Sequence, residues 1–228
     1  MVSRVLAFTP YRGGTAHRLA TLESTIKDGR DKAGHEFEWR VWDNAKVNKG
    51  QHTVFNEALA EATTRGFDFL LRIDDDVSFL SQRWMAKMLE SADKLGPQFI
   101  LSPTIIGLKH PPEMSQCVTV NGVDVRFLTQ AIGGACRLHP VKLLTQAPTP
   151  YVSDVRLAMG MGDATGIVRW AEEMTLQGYP VACCWLEHVR VKHATATQER
   201  DDEQYHAIHS TLQRVPYLPS WPEAYNAS

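Results

Sequence analysis

FDFLLRIDDDVSFL, residues Phe67 to Leu80, is the stretch on which the reading of this chain turns. The run Phe67 to Ile73 has the length and near-continuous apolar character of a buried strand, with Arg72 its one charged member. Asp74, Asp75 and Asp76 follow without a spacer. Carboxylates crowded at the mouth of a buried strand repel one another, so water, a cation or a basic group has to compensate them. A divalent cation is the economical answer. Mg2+ and Mn2+ prefer hard oxygen ligands, and they take one or two carboxylates together with phosphate oxygens and water. The implied ligand is a diphosphate. The structural alternative is that the aspartates punctuate a turn before the helix SQRWMAKMLESADKL, for which Ser81 is the expected N-cap.

Upstream, the same strand-helix unit recurs. VLAF (Val5 to Phe8) ends at Thr9 and Pro10, and Leu19, Leu22 and Ile26 share one face of a helix expected from Thr15 to Asp28. FEWRVW (Phe37 to Trp42) ends at Asp43 and precedes a helix from Gln51 to Arg65. Alternation of this kind predicts an α/β fold with a mainly parallel, doubly wound sheet. Ligands of such sheets bind beyond the carboxyl ends of the strands. That rule gathers Thr9, Pro10, Tyr11 and Arg12, then Asp43, then Asp74 to Asp76 into one candidate crevice.

Downstream the pattern is mixed. QFILSP (Gln98 to Pro103) reads as a fourth strand, and CVTVNGVDVRF as a hairpin turning at Asn121 and Gly122. A helix from about Ala164 to Gln177, strands at Val181 to Trp185 and His188 to Lys192, and a charged helix from Gln198 to Arg214 follow. The tail VPYLPSWPEAYNAS has three readings: packing on the body, a homo-oligomer contact, or partial mobility.

At 228 residues the chain is long enough for one large domain with its own core. Lys and Arg number 24 against 26 Asp and Glu, so no global basic field recruits nucleic acid or anionic lipid. The cysteines, Cys117, Cys136, Cys183 and Cys184, have no CxxC spacing and read as buried thiols of a reducing compartment. With no signal-peptide core and no apolar run of about 18 residues, the expectation is a cytoplasmic protein without a transmembrane segment.

LLRIDDDVSF resembles the metal-binding DxD segment of nucleotide-sugar glycosyltransferases of the GT-A fold, especially the inverting family 2. KVNKGQHTVFNEALAEA is similar to the segment before that strand, matched by Asn48, Gly50, Asn56 and Ala58. VWDN matches the second strand end, and IGGACRLHP the acceptor-side glycine segment. The resemblance implies a Rossmann-like three-layer sandwich over 1–228. Residues 1–103 would form the nucleotide-sugar half, 104–197 the acceptor-side and catalytic half, and 198–228 a C-terminal helix and tail. It implies transfer of one sugar from a nucleotide-diphosphate sugar, a UDP-sugar first, to a hydroxyl acceptor.

The same resemblance assigns roles. Asp43 accepts a pyrimidine N–H, or caps a turn, and Thr9 to Tyr11 line the base, with Arg12 beside them. Asp74 faces the ribose or sugar and shares in the metal. Asp76 touches the metal, and Asp75 points either way or pairs with Arg72 or Arg83. Mn2+ or Mg2+ is the implied cofactor, and His193 its third ligand, with His188 the competitor. Asp163 in MGDATGIVRW is the implied base, a role compatible with capping that helix, although Gly162 stands where an acidic pair is usual. Gly133 and Gly134 allow close approach of sugar or acceptor, or mark a bulge. Saccharide, lipid-linked sugar, protein side chain and modified DNA base all remain open as acceptors.

Three rivals stand beside this. DDDVS also fits the nucleophile motif of haloacid-dehalogenase-like phosphatases, with Asp74 phosphorylated and Asp76 as acid/base, although it does not open the fold here. The others are a non-catalytic nucleotide-sugar-binding module and a nucleotidyltransferase, whose glycine-rich loop YRGG matches weakly.

Overall fold

The structure, a computed structural model, describes residues 2–11, 34–43, 49–75, 77–106, 115–128, 132–133, 135–153 and 163–193. The helices expected at Thr15 to Asp28 and Gln198 to Arg214, and the aromatic tail, lie outside the described residues. In chain order the elements are β1 (Arg4–Tyr11), β2 (Glu36–Asp43), α1 (Gly50–Thr64), β3 (Phe69–Ile73), β4 (Val77–Phe79), α2 (Trp84–Leu95) and β5 (Phe99–Ile106). They continue with β6 (Ser115–Val120), β7 (Val123–Leu128), β8 (Cys136–Pro140), α3 (Val141–Gln146), α4 (Asp163–Leu176) and β9 (Ala182–His193). No helix among them is long and apolar enough to cross a membrane.

All nine strands join one sheet in the order β2-β1-β3-β8-β5-β9-β7-β6, with β4 on β9. β1 is parallel to β2 and β3, and β5 to β9. β8 is antiparallel to both of its neighbours, β3 and β5, so β1, β2, β3, β5 and β9 all point one way. This is the expected mixed, mainly parallel α/β architecture.

The core follows from the apolar strands. Val5 to Phe8 of β1 and Leu70, Leu71 and Ile73 of β3 are almost wholly buried. Helix α1 covers them with Val54, Phe55, Ala58, Leu59 and Ala62, an i, i+1, i+4, i+5, i+8 stripe. Full burial of a ring such as Phe55 contributes about 1.5–3 kcal/mol. Edge-to-face contacts run from Phe8 to Phe55 (6.0 Å), Phe55 to Tyr151 (5.6 Å) and Tyr151 to Trp170 (5.5 Å), linking β1, α1 and α4. The Trp170 indole donates to the Thr149 carbonyl at 2.7 Å. α1 stops because Gly66, at φ 68°, supplies the left-handed turn. The Gly66 N–H then bonds Thr63 O and the Phe67 N–H bonds Ala62 O, which uses the last carbonyls of the helix.

Several expectations change. β1 continues through Pro10 to Tyr11, because its β3 ladder stops at Phe8 opposite Arg72 while the β2 ladder runs on to Asp43. Proline is tolerated where a strand is paired on one side only. The five residues of CRLHP form an unexpected central strand, β8, in which Arg137 and His139 are as buried as Cys136 and Leu138. The two strands expected at Val181 and His188 are one strand, β9, whose pairing with β5 jumps from Leu186 to Arg190 and loops out Glu187 to Val189. Ser81 is not an N-cap. Arg83, at φ 53°, holds that position, while the Ser81 hydroxyl accepts the Arg190 N–H at 2.9 Å and so extends the β4–β9 ladder. Cys117 is exposed, whereas Cys136, Cys183 and Cys184 are buried as expected, and all four are free thiols. The hairpin turn stands as read, with φ of 49° at Asn121 and 73° at Gly122.

Candidate functional site

The shared strand direction sets the site. Tyr11 ends β1 directly opposite Asp43, which ends β2, and Asp74 and Asp75 follow the last residue of β3. β9 also ends at this edge, and β4 folds back along it with Val77 opposite His193. The residue after Asp76 is thus in register with the last residue of β9. Asp74 N–H donates to the Ala135 carbonyl at 2.9 Å, extending the β3–β8 ladder and bringing the glycine segment alongside the aspartates.

Asp163 is the first residue of α4. The last turn of that helix is tied to the approach to β9, with the Val181 N–H on Thr175 Oγ1 at 3.1 Å. Since β9 starts opposite the start of β5, at the amino edge, the 14-residue helix, about 21 Å long, ends at that edge, and Asp163 is at its other end.

Beneath the acidic rim lies a basic floor. Arg72 is only 2% exposed, and its Nε and Nη2 donate to Asp74 Oδ1 at 3.1 and 2.9 Å. Nη2 also donates to Gln51 Oε1, in the first turn of α1, at 3.0 Å. Asp74 thus pairs with Arg72. Asp75 is buried. Arg137, fully buried, is the register partner of Arg72, so the two guanidinium side chains share one face of adjacent strands. His139 lies on that face too; its Nδ1 is 3.1 Å from the Leu70 carbonyl, which only accepts, so Nδ1 carries the proton. The Cys136 thiol stays protonated, pushed up by burial first and by the Asp74 charge second.

Other expected residues are placed as follows. Thr9 is fully buried, and its Oγ1 accepts the Trp39 indole N–H at 3.1 Å. Pro10 and Tyr11 are half-buried at the edge. Gly50 opens α1 at φ 78° with open space around it. Asn56 engages the main chain of Ser153 through both ends of its amide. Gly133, at φ 89°, packs so closely that a Cβ would lie 2.5 Å from Ile105 Cδ1, and the Trp185 indole donates to the Ile132 carbonyl beside it. His188 turns away from the rim. It sits in the looped-out segment of β9 with Nε2 3.2 Å from Ser91 Oγ on α2, and burial together with Lys87 lowers its pKa. Arg12, Asn48, Asp76 and Gly134 lie outside the described residues, as do the side chains of Asp43, Asp163 and His193.

Among the described residues, no three His, Cys, Asp or Glu side chains are close enough to hold a metal ion. The residue types that end these strands, adjacent aspartates after β3 and a histidine at the end of β9, are nevertheless ones that a hard divalent cation takes.

No family model matches the sequence, and no curated protein matches it significantly. Among solved structures the chain is similar to the mannosyltransferase PcManGT from Pyrobaculum calidifontis, solved with GDP-Man and Mn2+. That match has 12% identity, spans all of this chain and 69% of the other, and has a TM-score of 0.59. It is also similar to TarS from S. aureus, at 11% identity and a TM-score of 0.54, spanning 92% of this chain. The match spans only 39% of the TarS chain. At these identities the likeness is one of fold: this chain has the Rossmann-like GT-A architecture of nucleotide-sugar glycosyltransferases.

Proposed function

We propose that this chain is a metal-dependent, inverting glycosyltransferase that moves one sugar from a nucleotide-diphosphate sugar, a UDP-sugar first, to a hydroxyl acceptor. The observation that carries the reading is the convergence on one sheet edge of Tyr11 opposite Asp43, of Asp74 and Asp75 after β3, and of His193 opposite Val77. The GT-A architecture adds support, since PcManGT was solved with GDP-Man and Mn2+.

In this reading Tyr11 and Asp43 receive the base, and Asp74 faces the ribose or the sugar. Mn2+ or Mg2+ would be held by Asp76 and His193 with a share from Asp74, and when bound it neutralises charge on the departing diphosphate. Asp163 takes the proton from the acceptor hydroxyl as that oxygen bonds the anomeric carbon from the face opposite the leaving group. The bond from the anomeric carbon to the diphosphate oxygen breaks, its electron pair leaves with the nucleoside diphosphate, and the anomeric configuration inverts. We read the whole chain, 1–228, as one such unit.

The test is incubation of purified protein and Mn2+ with a panel of nucleotide sugars, followed by mass spectrometry and calorimetry. Binding, with slow donor hydrolysis or transfer, is expected for one of them. If none is bound or turned over while simple phosphate esters are hydrolysed, the phosphatase reading replaces this one.

A further inference from the structure

We propose that Arg72 is a positioning residue: its guanidinium, clamped by Gln51 of α1, fixes the Asp74 carboxylate for the metal and diphosphate site, an inference that rests on the functional reading above.

Nε and Nη2 of the guanidinium converge on a single oxygen, Asp74 Oδ1, at 3.1 and 2.9 Å, which sets the direction of the carboxylate. The third bond, to Gln51 at 3.0 Å, fixes the guanidinium in turn. Gln51 lies in the first turn of α1, inside the segment that carries the resemblance, between Gly50 and Asn56, and Asp74 opens the acidic rim. One arginine therefore ties the two halves of the crevice together. Stability alone does not account for it. Apolar residues in place of a buried ion pair are commonly neutral or stabilising, and Arg72 interrupts an otherwise apolar strand with its side chain only 3% exposed. Arg137, directly across on β8, adds a second positive charge to the same face, so the floor favours anionic oxygens above it.

The measurement is calorimetric titration of the full-length protein with UDP, GDP, CDP and ADP, each with and without Mn2+. The proteins are wild type, Arg72→Met, Arg72→Lys, Gln51→Leu, Asp74→Asn and the double variant Gln51→Leu/Asp74→Asn. Outer partners of ligating groups typically contribute about 10–100-fold in affinity, and Arg72→Met is expected to lose that much of the Mn2+-dependent binding, with Arg72→Lys recovering part. Metal-free binding, which loses only one charge of the floor, should fall by a smaller factor. Gln51→Leu, whose site is exposed, should weaken Mn2+-dependent binding in the wild-type background and have no further effect beside Asp74→Asn. Equal binding by wild type, Arg72→Met and Gln51→Leu overturns the inference alone, as do additive effects in the double variant. If Arg72→Met does not fold, the Gln51 cycle decides. A wild type that binds no nucleotide with Mn2+ overturns the functional reading and this inference with it.

Discussion

Asn56 satisfies both polar groups of the Ser153 main chain: Nδ2 donates to its carbonyl and Oδ1 accepts its N–H, each at 3.0 Å. His52, one turn earlier on α1, places Nδ1 2.9 Å from the Ser153 hydroxyl. Helix α1 thereby grips the chain just before it leads towards α4, while Gln51 on the same helix reaches Arg72 under the acidic rim.

Asn56→Ala removes two half-buried hydrogen bonds, and about 1–3 kcal/mol of stability should go with them. Asn56→Asp keeps the acceptor for the Ser153 N–H but sets a carboxylate oxygen against the Ser153 carbonyl, and should lose at least as much. Urea denaturation checks both, and equal stability of wild type and Asn56→Ala would remove the tether from the account.

What the sequence revealed, and what it hid, follows from which residues carried a pattern. The strands at Val5, Phe37 and Phe69 and the hairpin at Asn121-Gly122 were legible because apolar runs and turn residues bounded them. β8 was not, since Arg137 and His139 alternate with Cys136 and Leu138 and look like an exposed face, although all four are buried. Their burial depends on β8 inserting between β3 and β5, a pairing set by contacts distant in sequence. The acidic rim was legible from three adjacent aspartates, but its counter-charge was ambiguous. Arg72 two residues earlier was the available signal, and an i, i+2 spacing on one face of a strand favours Asp74 as its partner over Asp75. His193 was ranked above His188 from their places in the segment alone, because the outloop that carries His188 to Ser91 appears only in the β5–β9 register.

Gly133 should resist substitution for two separable reasons. At φ 89° any side chain is strained, and an added Cβ would meet Ile105 Cδ1 at 2.5 Å. The backbone strain alone costs about 1–2 kcal/mol. Ile105→Val removes the clashing carbon, so the double variant Gly133→Ala/Ile105→Val should show a favourable coupling while keeping the strain. Thermal denaturation of the four proteins in the cycle measures this, and strict additivity would mean that Ile105 moves aside at no cost.

Asp163→Asn tests the proposed base. General-base catalysis typically contributes about 10²–10⁴-fold, so turnover should fall within that range while binding of the nucleotide sugar is retained. Asp76→Ala should do the reverse and abolish metal-dependent binding. Loss of binding in Asp163→Asn would move that residue from the acceptor side to the donor side.

Glu172, on α4 one turn after Arg169, is a half-buried carboxyl whose pKa is raised to about 7 by burial, an effect that Arg169 only partly offsets. The sign of its contribution is fixed by linkage. Between the ordinary value of 4.5 and about 7 the folded protein holds a proton that the unfolded chain has released, so stability falls as pH rises through that window and levels off above it. Glu172→Gln keeps the shape of the side chain and removes the titration. Relative to wild type it should gain stability between about pH 5 and pH 8, with little difference at pH 4. Melting temperatures of both proteins across that range provide the check, and a difference that does not vary with pH would place Glu172 in water rather than against the core.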